Sequence, residues 1–208
     1  MKFADGPAAG QWQPVHPREA RSLLGQISAP WWVAGGWALD LFIGQQGRPH
    51  KDLDIGILRR DLRPVLAALS GWEFFAAKGG ELFGPVTADV REDVNSLWGR
   101  RVATSEWVLE LMLDDSEGDQ WVFRRDRRIR RAVDTAIRYD SERTPYLVPE
   151  IQLLYKASHI RPEDNLDFER VSPYLDDPSR RWLSGALGQL DRQHQWLPVL
   201  RATAIPES

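Results

Sequence analysis

The chain contains no cysteine. Disulfides, thiolate zinc centres and cysteine nucleophiles are therefore excluded, and the absence suits a reducing compartment such as the cytoplasm. No charge of one sign dominates: 27 Lys and Arg stand against 30 Asp and Glu, a formal net charge of −3. A strongly basic protein that coats nucleic acid is excluded on that balance, whereas a local basic patch is not. Internal repeats and low-complexity linkers are also missing. The uncharged stretch from Ser22 to Leu39 is interrupted by Gly25, Gln26, Pro30, Gly35 and Gly36, so no membrane span is expected from it. Met1 to Val15 carries Asp5 and has no apolar run of the secretory kind, so no targeting segment is expected there.

What is present is ordinary globular usage, with 42% hydrophobic and 27% charged residues among 208. That length fits one large domain or two small ones and is enough to bury a real core. The ten tryptophans are unusual and are expected mainly in the core or on a flat ligand surface. Residues 1–14, rich in Gly, Pro and Ala, read as loose. His16 to Ile27 reads as a short helix, Trp31 to Ala34 as a buried strand ended by Gly35-Gly36, and Trp37 to Ile43 as a buried helix closed by Gly44. Lys51 to Leu58 alternates, with Leu53, Ile55 and Ile57 on one face and Asp52 and Asp54 on the other, as a half-buried strand does. Leu62 to Leu69 reads as a helix, Trp72 to Ala76 as a strand. Trp107 to Leu113 and Gln120 to Arg124 read as two strands joined by an acidic turn, Asp114 to Gly118, as a hairpin of the longer-loop kind. From Pro149, suited to a first helical position with Glu150 beside it, the chain reads as helical. The expected organisation is α+β: a small mixed sheet flanked by helices over 1–148, and a helical segment or subdomain over 149–208.

The chemistry is concentrated in carboxylates. Two aspartates two apart on a strand point the same way, about 6.5–7 Å apart at Cα, and suit a hard cation such as Mg²⁺ that takes oxygen ligands and keeps positions for phosphate. Glu110 is a lone charge within Val108-Leu109-Glu110-Leu111-Met112, which is costly unless paired or bound to metal. If its strand neighbours that of Asp52 and Asp54, it completes a three-carboxylate site able to organise an in-line displacement at phosphorus. Asp114 has the same strand parity and is the rival third carboxylate. Gly35 and Gly36 permit close backbone approach to phosphate at a helix N-terminus. For Asp40 a structural pairing with Arg48 or His50 is expected rather than catalysis.

Gly35-Gly36-Trp37-Ala38-Leu39-Asp40-Leu41-Phe42-Ile43-Gly44, followed by Arg48-Pro49-His50-Lys51-Asp52-Leu53-Asp54, resembles the aminoglycoside 2''-nucleotidyltransferase-like group, which includes lincosamide nucleotidyltransferases. That group lies within the DNA-polymerase-β-like nucleotidyltransferase superfamily. The resemblance is close over 30–58 and looser over 107–131 and 149–175, where Pro149-Glu150-Ile151-Gln152-Leu153-Leu154-Tyr155-Lys156 and Arg161-Pro162-Glu163-Asp164 match a second block.

The resemblance implies the polymerase-β-like fold, a nucleoside triphosphate such as ATP held at Gly35 and Gly36, and Mg²⁺ bound by Asp52 and Asp54. It implies Glu110 as third ligand and candidate general base, where many members carry Asp. Lys156 matches a helix lysine that contacts phosphate or nucleotide. In the second block Glu163 stands where lysine is common, which reverses a charge. The activity implied is transfer of a nucleoside monophosphate to a hydroxyl of a small molecule, such as an aminoglycoside or lincosamide antibiotic, with release of pyrophosphate. The arginine run 124–131 supports an alternative acceptor, tRNA or protein, as in toxin-like members of the superfamily; a non-catalytic nucleotide-binding domain is the remaining alternative.

Overall fold

The computed structural model describes residues 12–13, 15–104 and 106–202. The loose stretch expected over 1–14 therefore lies outside the described residues except for Trp12 and Gln13. Of these, Trp12 bridges to Trp107 and packs edge-on against Trp98.

Helix α1 (Pro17–Leu24) is followed by β1 (Trp31–Val33), α2 (Gly35–Ile43), β2 (Asp54–Leu58) and α3 (Leu62–Ala68). Strands β3 (Trp72–Lys78), β4 (Glu81–Phe83), β5 (Ser96–Arg101), β6 (Trp107–Glu117) and β7 (Gln120–Val122) come next. The chain continues through β8 (Arg130–Ala132), α4 (Val133–Ala136), β9 (Ile137–Tyr139) and β10 (Pro145–Leu147). It ends in α5 (Pro149–Lys156), α6 (Pro162–Val171), α7 (Asp177–Leu190) and α8 (Leu197–Arg201). Among the described residues, ten strands form one mixed sheet in the order β4-β3-β5-β6-β2-β1-β10-β9, with β7 on β6 and β8 on β7. Pairing is parallel for β2 with β6 and for β1 with β10, and antiparallel elsewhere.

This is the expected α+β architecture with a helical C-terminal segment, on a larger sheet than expected. The core runs from Val15 to Leu200, so apolar residues of sheet and helices share one cluster. Trp32, Trp107, Trp121 and Trp196 are buried, in keeping with a core role for the tryptophans.

Two local readings are corrected. Strand β2 begins at Asp54, and Asp52 lies in the bend before it. Beyond Asp54, β2 is buried on both faces because it is an interior strand; Gly56 lies under the Trp32 ring, where a Cβ would come within 1.9 Å of the indole nitrogen. The acidic stretch Asp114 to Glu117 is strand rather than turn. Glu117 pairs directly with Gln120, so the hairpin loop is only Gly118-Asp119, with Gly118 at φ 54. Arginines stabilise that acidic strand end, since Asp115 pairs with Arg59, and Glu117 with Arg127 and Arg130.

Candidate active site

The register of β2 against β6 places Asp54 opposite Glu110. In a parallel pair such residues project to the same face, so two carboxylates are forced together by backbone pairing alone. Asp52 joins them from the bend, and one ligand oxygen from each of Asp52, Asp54 and Glu110 lies within 4.8 Å of the others. Asp114 sits on the same face of β6 but four residues further on; it is buried and accepts a hydrogen bond from the Tyr155 hydroxyl at 2.5 Å. Of the two candidates for third carboxylate, the structure gathers Glu110 with the aspartates.

No cation is ion-paired with Asp52, Asp54 or Glu110 among the described residues. Glu110 accepts instead from the Ser96 hydroxyl, 2.5 Å away on β5. Burial, then the negative charges of Glu110 and Asp52, push the Asp54 carboxyl well above its ordinary value, partly offset by Lys156 and Arg161. Glu110 is raised by burial and by Asp52, against the lowering effect of the Ser96 bond. Three crowded oxygen ligands without a compensating cation are the donor set of a hard divalent ion.

Gly35 turns the chain into α2 at φ +64. Its N–H donates to Gln152 Oε1 at 2.9 Å, which joins the start of α2 to α5. A Cβ on Gly35 would lie 1.9 Å from Asp54 Oδ2, so the absent side chain is what admits that carboxylate. A Cβ on Gly36 would meet the His50 ring at 2.3 Å. We expect Gly35→Ala to destabilise by about 2 kcal/mol through left-handed strain and the clash. The displacement of Asp54 should also weaken divalent-cation binding by the three carboxylates, and a variant with wild-type melting and cation affinity would refute this coupling.

Asp40 is a structural anchor, paired with His50, one of the two expected partners. His50 Nε2 lies 2.6 Å from Asp40 Oδ2, the Gly47 N–H donates to Oδ1, and Arg170 completes the set. Burial opposes ionisation of Asp40, but these hydrogen bonds outweigh it and hold the carboxyl below 3.8. Arg48 pairs instead with Asp167 at 3.1 Å.

Lys156, at the end of α5, is buried with its ammonium 2.7 Å from Asp164 and 3.0 Å from Asp167 on α6. It lines the same cleft, of about 480 Å³, whose walls include Gly35, Gly36, Asp54, Glu110 and Arg161. The arginine run divides. Arg124 and Arg125 line this cleft beside Tyr155, while Arg127, Arg128, Arg130 and Arg131 are ion-paired with Glu117, Asp126 or Glu150.

Sequence reasoning missed Ser96, Gln152 and Tyr155 as partners of the site. Gln152 and Tyr155 lie in the helical block already singled out, and only the strand register could reveal Ser96.

Asp114 supplies a pH test. Burial raises its carboxyl from 3.8 to about 6, although Tyr155 and Arg124 stabilise the charge. A raised acid weakens folding as pH climbs from its unfolded to its folded value, by up to about 3 kcal/mol in full. Asp114→Asn should therefore raise the melting temperature at pH 8 and leave it nearly unchanged at pH 4. Equal shifts at both pH values would contradict the assignment.

Residues 18–79 match the family model described as aminoglycoside-2''-adenylyltransferase, a span that holds Gly35, Gly36, Asp52 and Asp54. A search of curated proteins found no significant match. Among solved structures, the lincomycin-bound lincosamide antibiotic adenylyltransferase LnuA superposes with TM-score 0.50 at 16% identity, over 74% of this chain and 93% of that chain. ANT(2'')-Ia in complex with adenylyl-2''-tobramycin gives TM-score 0.45 at 14% identity, over 89% and 92%. An antigenic nucleotidyltransferase-like protein from Paracoccidioides brasiliensis gives 0.46 at 18%, over 88% of each chain. Among the described residues no helix is long and apolar enough to cross a membrane. The chain shares the fold of the lincosamide antibiotic adenylyltransferase, and its residues 18–79 match the aminoglycoside-2''-adenylyltransferase family model.

Proposed function

We propose that this protein is a Mg²⁺-dependent nucleotidyltransferase. It transfers a nucleoside monophosphate, from ATP in the leading case, to a hydroxyl of a small-molecule acceptor of the aminoglycoside or lincosamide kind. The observation that carries the reading is the convergence of Asp52, Asp54 and Glu110 without a paired cation, in a cleft that also holds the N-terminus of α2. The antibiotic acceptor rests on the family match over 18–79 and on the lincomycin bound by the structurally similar LnuA.

A divalent ion held by Asp52, Asp54 and Glu110 would neutralise phosphate charge and polarise the α-phosphorus. The first-turn N–H groups of α2 lack intrahelical acceptors and suit a phosphate. Because the Gly35 N–H is taken by Gln152, that task falls to Gly36 and Trp37. Glu110 would accept the proton of the acceptor hydroxyl as its oxygen bonds to the α-phosphorus and pyrophosphate leaves. The Ser96 hydroxyl, bonded to Oε1, orients the carboxylate for that work. The helical segment from Pro149 closes the cleft through Gln152, Tyr155 and Lys156.

The test is incubation with each labelled nucleoside triphosphate, Mg²⁺ and pooled hydroxylated antibiotics, reading pyrophosphate release and an acceptor heavier by one nucleoside monophosphate. Absence of turnover with every triphosphate and with either Mg²⁺ or Mn²⁺ would overturn the reading.

A further inference from the structure

Charge is unevenly spread along the cleft. Asp52, Asp54 and Glu110 form the cation site, and each other carboxylate lining the cleft among the described residues already has a partner. Asp164 is held by Lys156 and Arg161, Glu163 lies 3.3 Å from Arg161, and Asp114 accepts from the Tyr155 hydroxyl. Arg124 and Arg125 are the opposite case: they line the cleft, and among the described residues neither is ion-paired with a carboxylate. Asp126, next in the chain, is taken by Arg128 and Gln189. The two guanidiniums are held against the end of α5. Arg125 donates to the Tyr155 carbonyl at 3.2 Å, and Arg124 lies 5.3 Å over the Tyr155 ring. Partial burial and then the Arg124 charge pull Arg125 below its ordinary value, as for two like charges held together without a counterion.

The strand order gives this pair a side. Strands β1, β2 and β6 are neighbours in the sheet, with β2 in the middle. Helix α2 opens directly after β1, and Gly35 lies against Asp54 from there. Glu110 lies on the other side of Asp54, on β6, and Asp114 follows four residues later, about 13 Å along the strand. Tyr155 bonds to Asp114, so the guanidiniums at Tyr155 lie beyond Glu110, across the carboxylates from the N-terminus of α2. In an in-line displacement the entering oxygen and the leaving group stand on opposite sides of phosphorus. With pyrophosphate leaving at the N-terminus of α2, Arg124 and Arg125 stand on the side from which the acceptor enters.

We propose that Arg124 and Arg125 form an oxyanion subsite for the acceptor, which is a hydroxylated small molecule carrying a phosphate or carboxylate group. Guanidinium matches either group by bidentate contact. A polycationic acceptor would meet two positive charges here and no unpartnered carboxylate outside the cation site among the described residues. The acceptor of the proposed function is thereby narrowed to molecules without a cluster of ammonium groups. The word acceptor rests on the proposed transfer, whereas anion binding by the two arginines does not.

The experiment is isothermal titration calorimetry on the full chain, with glucose 6-phosphate and gluconate as anionic probes, glucose as the neutral control and tobramycin as the polycation. At least one anion should bind saturably, and the tighter of the two distinguishes phosphate from carboxylate. Glucose should bind at least about tenfold more weakly than that anion. The double variant Arg124→Gln/Arg125→Gln should lose at least about tenfold in affinity for it, with melting curves as the check on folding. Arg63→Gln, an exposed arginine outside the cleft, should bind the anion as wild type does. The α,β-methylene analogue of ATP, which cannot release pyrophosphate, should bind the double variant and wild type with nearly equal affinity in Mg²⁺. Absence of saturable anion binding, or equal anion affinity in the double variant, would overturn the proposal. A parallel loss of affinity for the ATP analogue would give the arginines to the triphosphate and overturn it too, as would tobramycin binding more tightly than either anion. None of these measurements uses turnover. A chain that binds the anion through the arginines yet releases no pyrophosphate with any triphosphate would overturn the proposed transfer and leave the anion subsite standing.

Discussion

Asp54→Asn is expected to abolish metal-dependent nucleotidyl transfer while making the metal-free protein more stable at neutral pH. Removing a charged ligand forfeits several kcal/mol of charge stabilisation in the transition state, which corresponds to a turnover loss of about 10²–10³-fold. The opposite effect on stability follows from the crowding. Asp54 begins β2 directly opposite Glu110, and burial together with Glu110 and Asp52 drives its carboxyl well above 3.8. A group raised in this way binds more protons folded than unfolded, so it penalises folding increasingly as pH rises above its unfolded value. Asparagine removes that penalty. Melting curves in chelator should show the variant above wild type at pH 8, with the gap closing towards pH 4. Addition of Mg²⁺ should reverse the order at pH 8, since the ion stabilises only the chain that binds it well. Wild-type turnover in the variant would remove Asp54 from the metal site. A variant that melts below wild type without metal would show that the carboxylate has a structural partner instead.

The part of this site that was legible in the sequence is the part built from local chain geometry. Gly35-Gly36 ahead of a buried helix, and Asp52-Leu53-Asp54 ahead of an apolar strand, declare themselves within one short span because turn, helix and strand each have a near-neighbour signature. Glu110 was legible as an anomaly, one charge inside an apolar run. Its alignment with Asp54 was not, because three strands and more than fifty residues separate the two, and only the parallel pairing of β2 with β6 sets the register. The short strands β4, β8, β9 and β10 are three residues each, too few to show a period of two. Strand β5 is longer, but Gly99 and three arginine or serine positions mask its alternation; Gly99 is small because the Phe74 ring occupies the place of its Cβ at 2.6 Å. The acidic stretch from Asp114 read as a turn because carboxylates in series favour solvent, and it is strand because Arg59, Arg127 and Arg130 arrive from elsewhere to pair with it.

Lys156 presents the converse case, in which a residue marked by resemblance for nucleotide contact is held by protein charges. Its ammonium is buried between Asp164 and Asp167, eight and eleven residues downstream, and this joins α5 to α6 along one wall of the cleft. Lys156→Met keeps the stem and removes the charge, which strands two buried carboxylates. The expected loss is about 3 kcal/mol, the low end for breaking a buried pair, because Arg161 still serves Asp164 and Arg48 still serves Asp167. The pH dependence identifies the cause. Burial opposes ionisation of Asp164, but hydrogen bonds from Arg161 and Lys156 overcome it and lower the carboxyl to about 2. A depressed acid contributes stability that is complete above its unfolded value near 4 and is lost as pH falls towards its folded value near 2. The deficit of the variant should therefore be full at pH 7 and shrink below pH 4 in denaturant titrations followed by circular dichroism. Kinetics then separate wall from ligand: a lysine that only holds the wall lowers turnover in proportion to the folded fraction, whereas one that also meets phosphate raises the triphosphate KM in the protein that remains folded. A variant of unchanged stability with a raised KM would show that the ammonium leaves Asp164 and Asp167 when nucleotide binds.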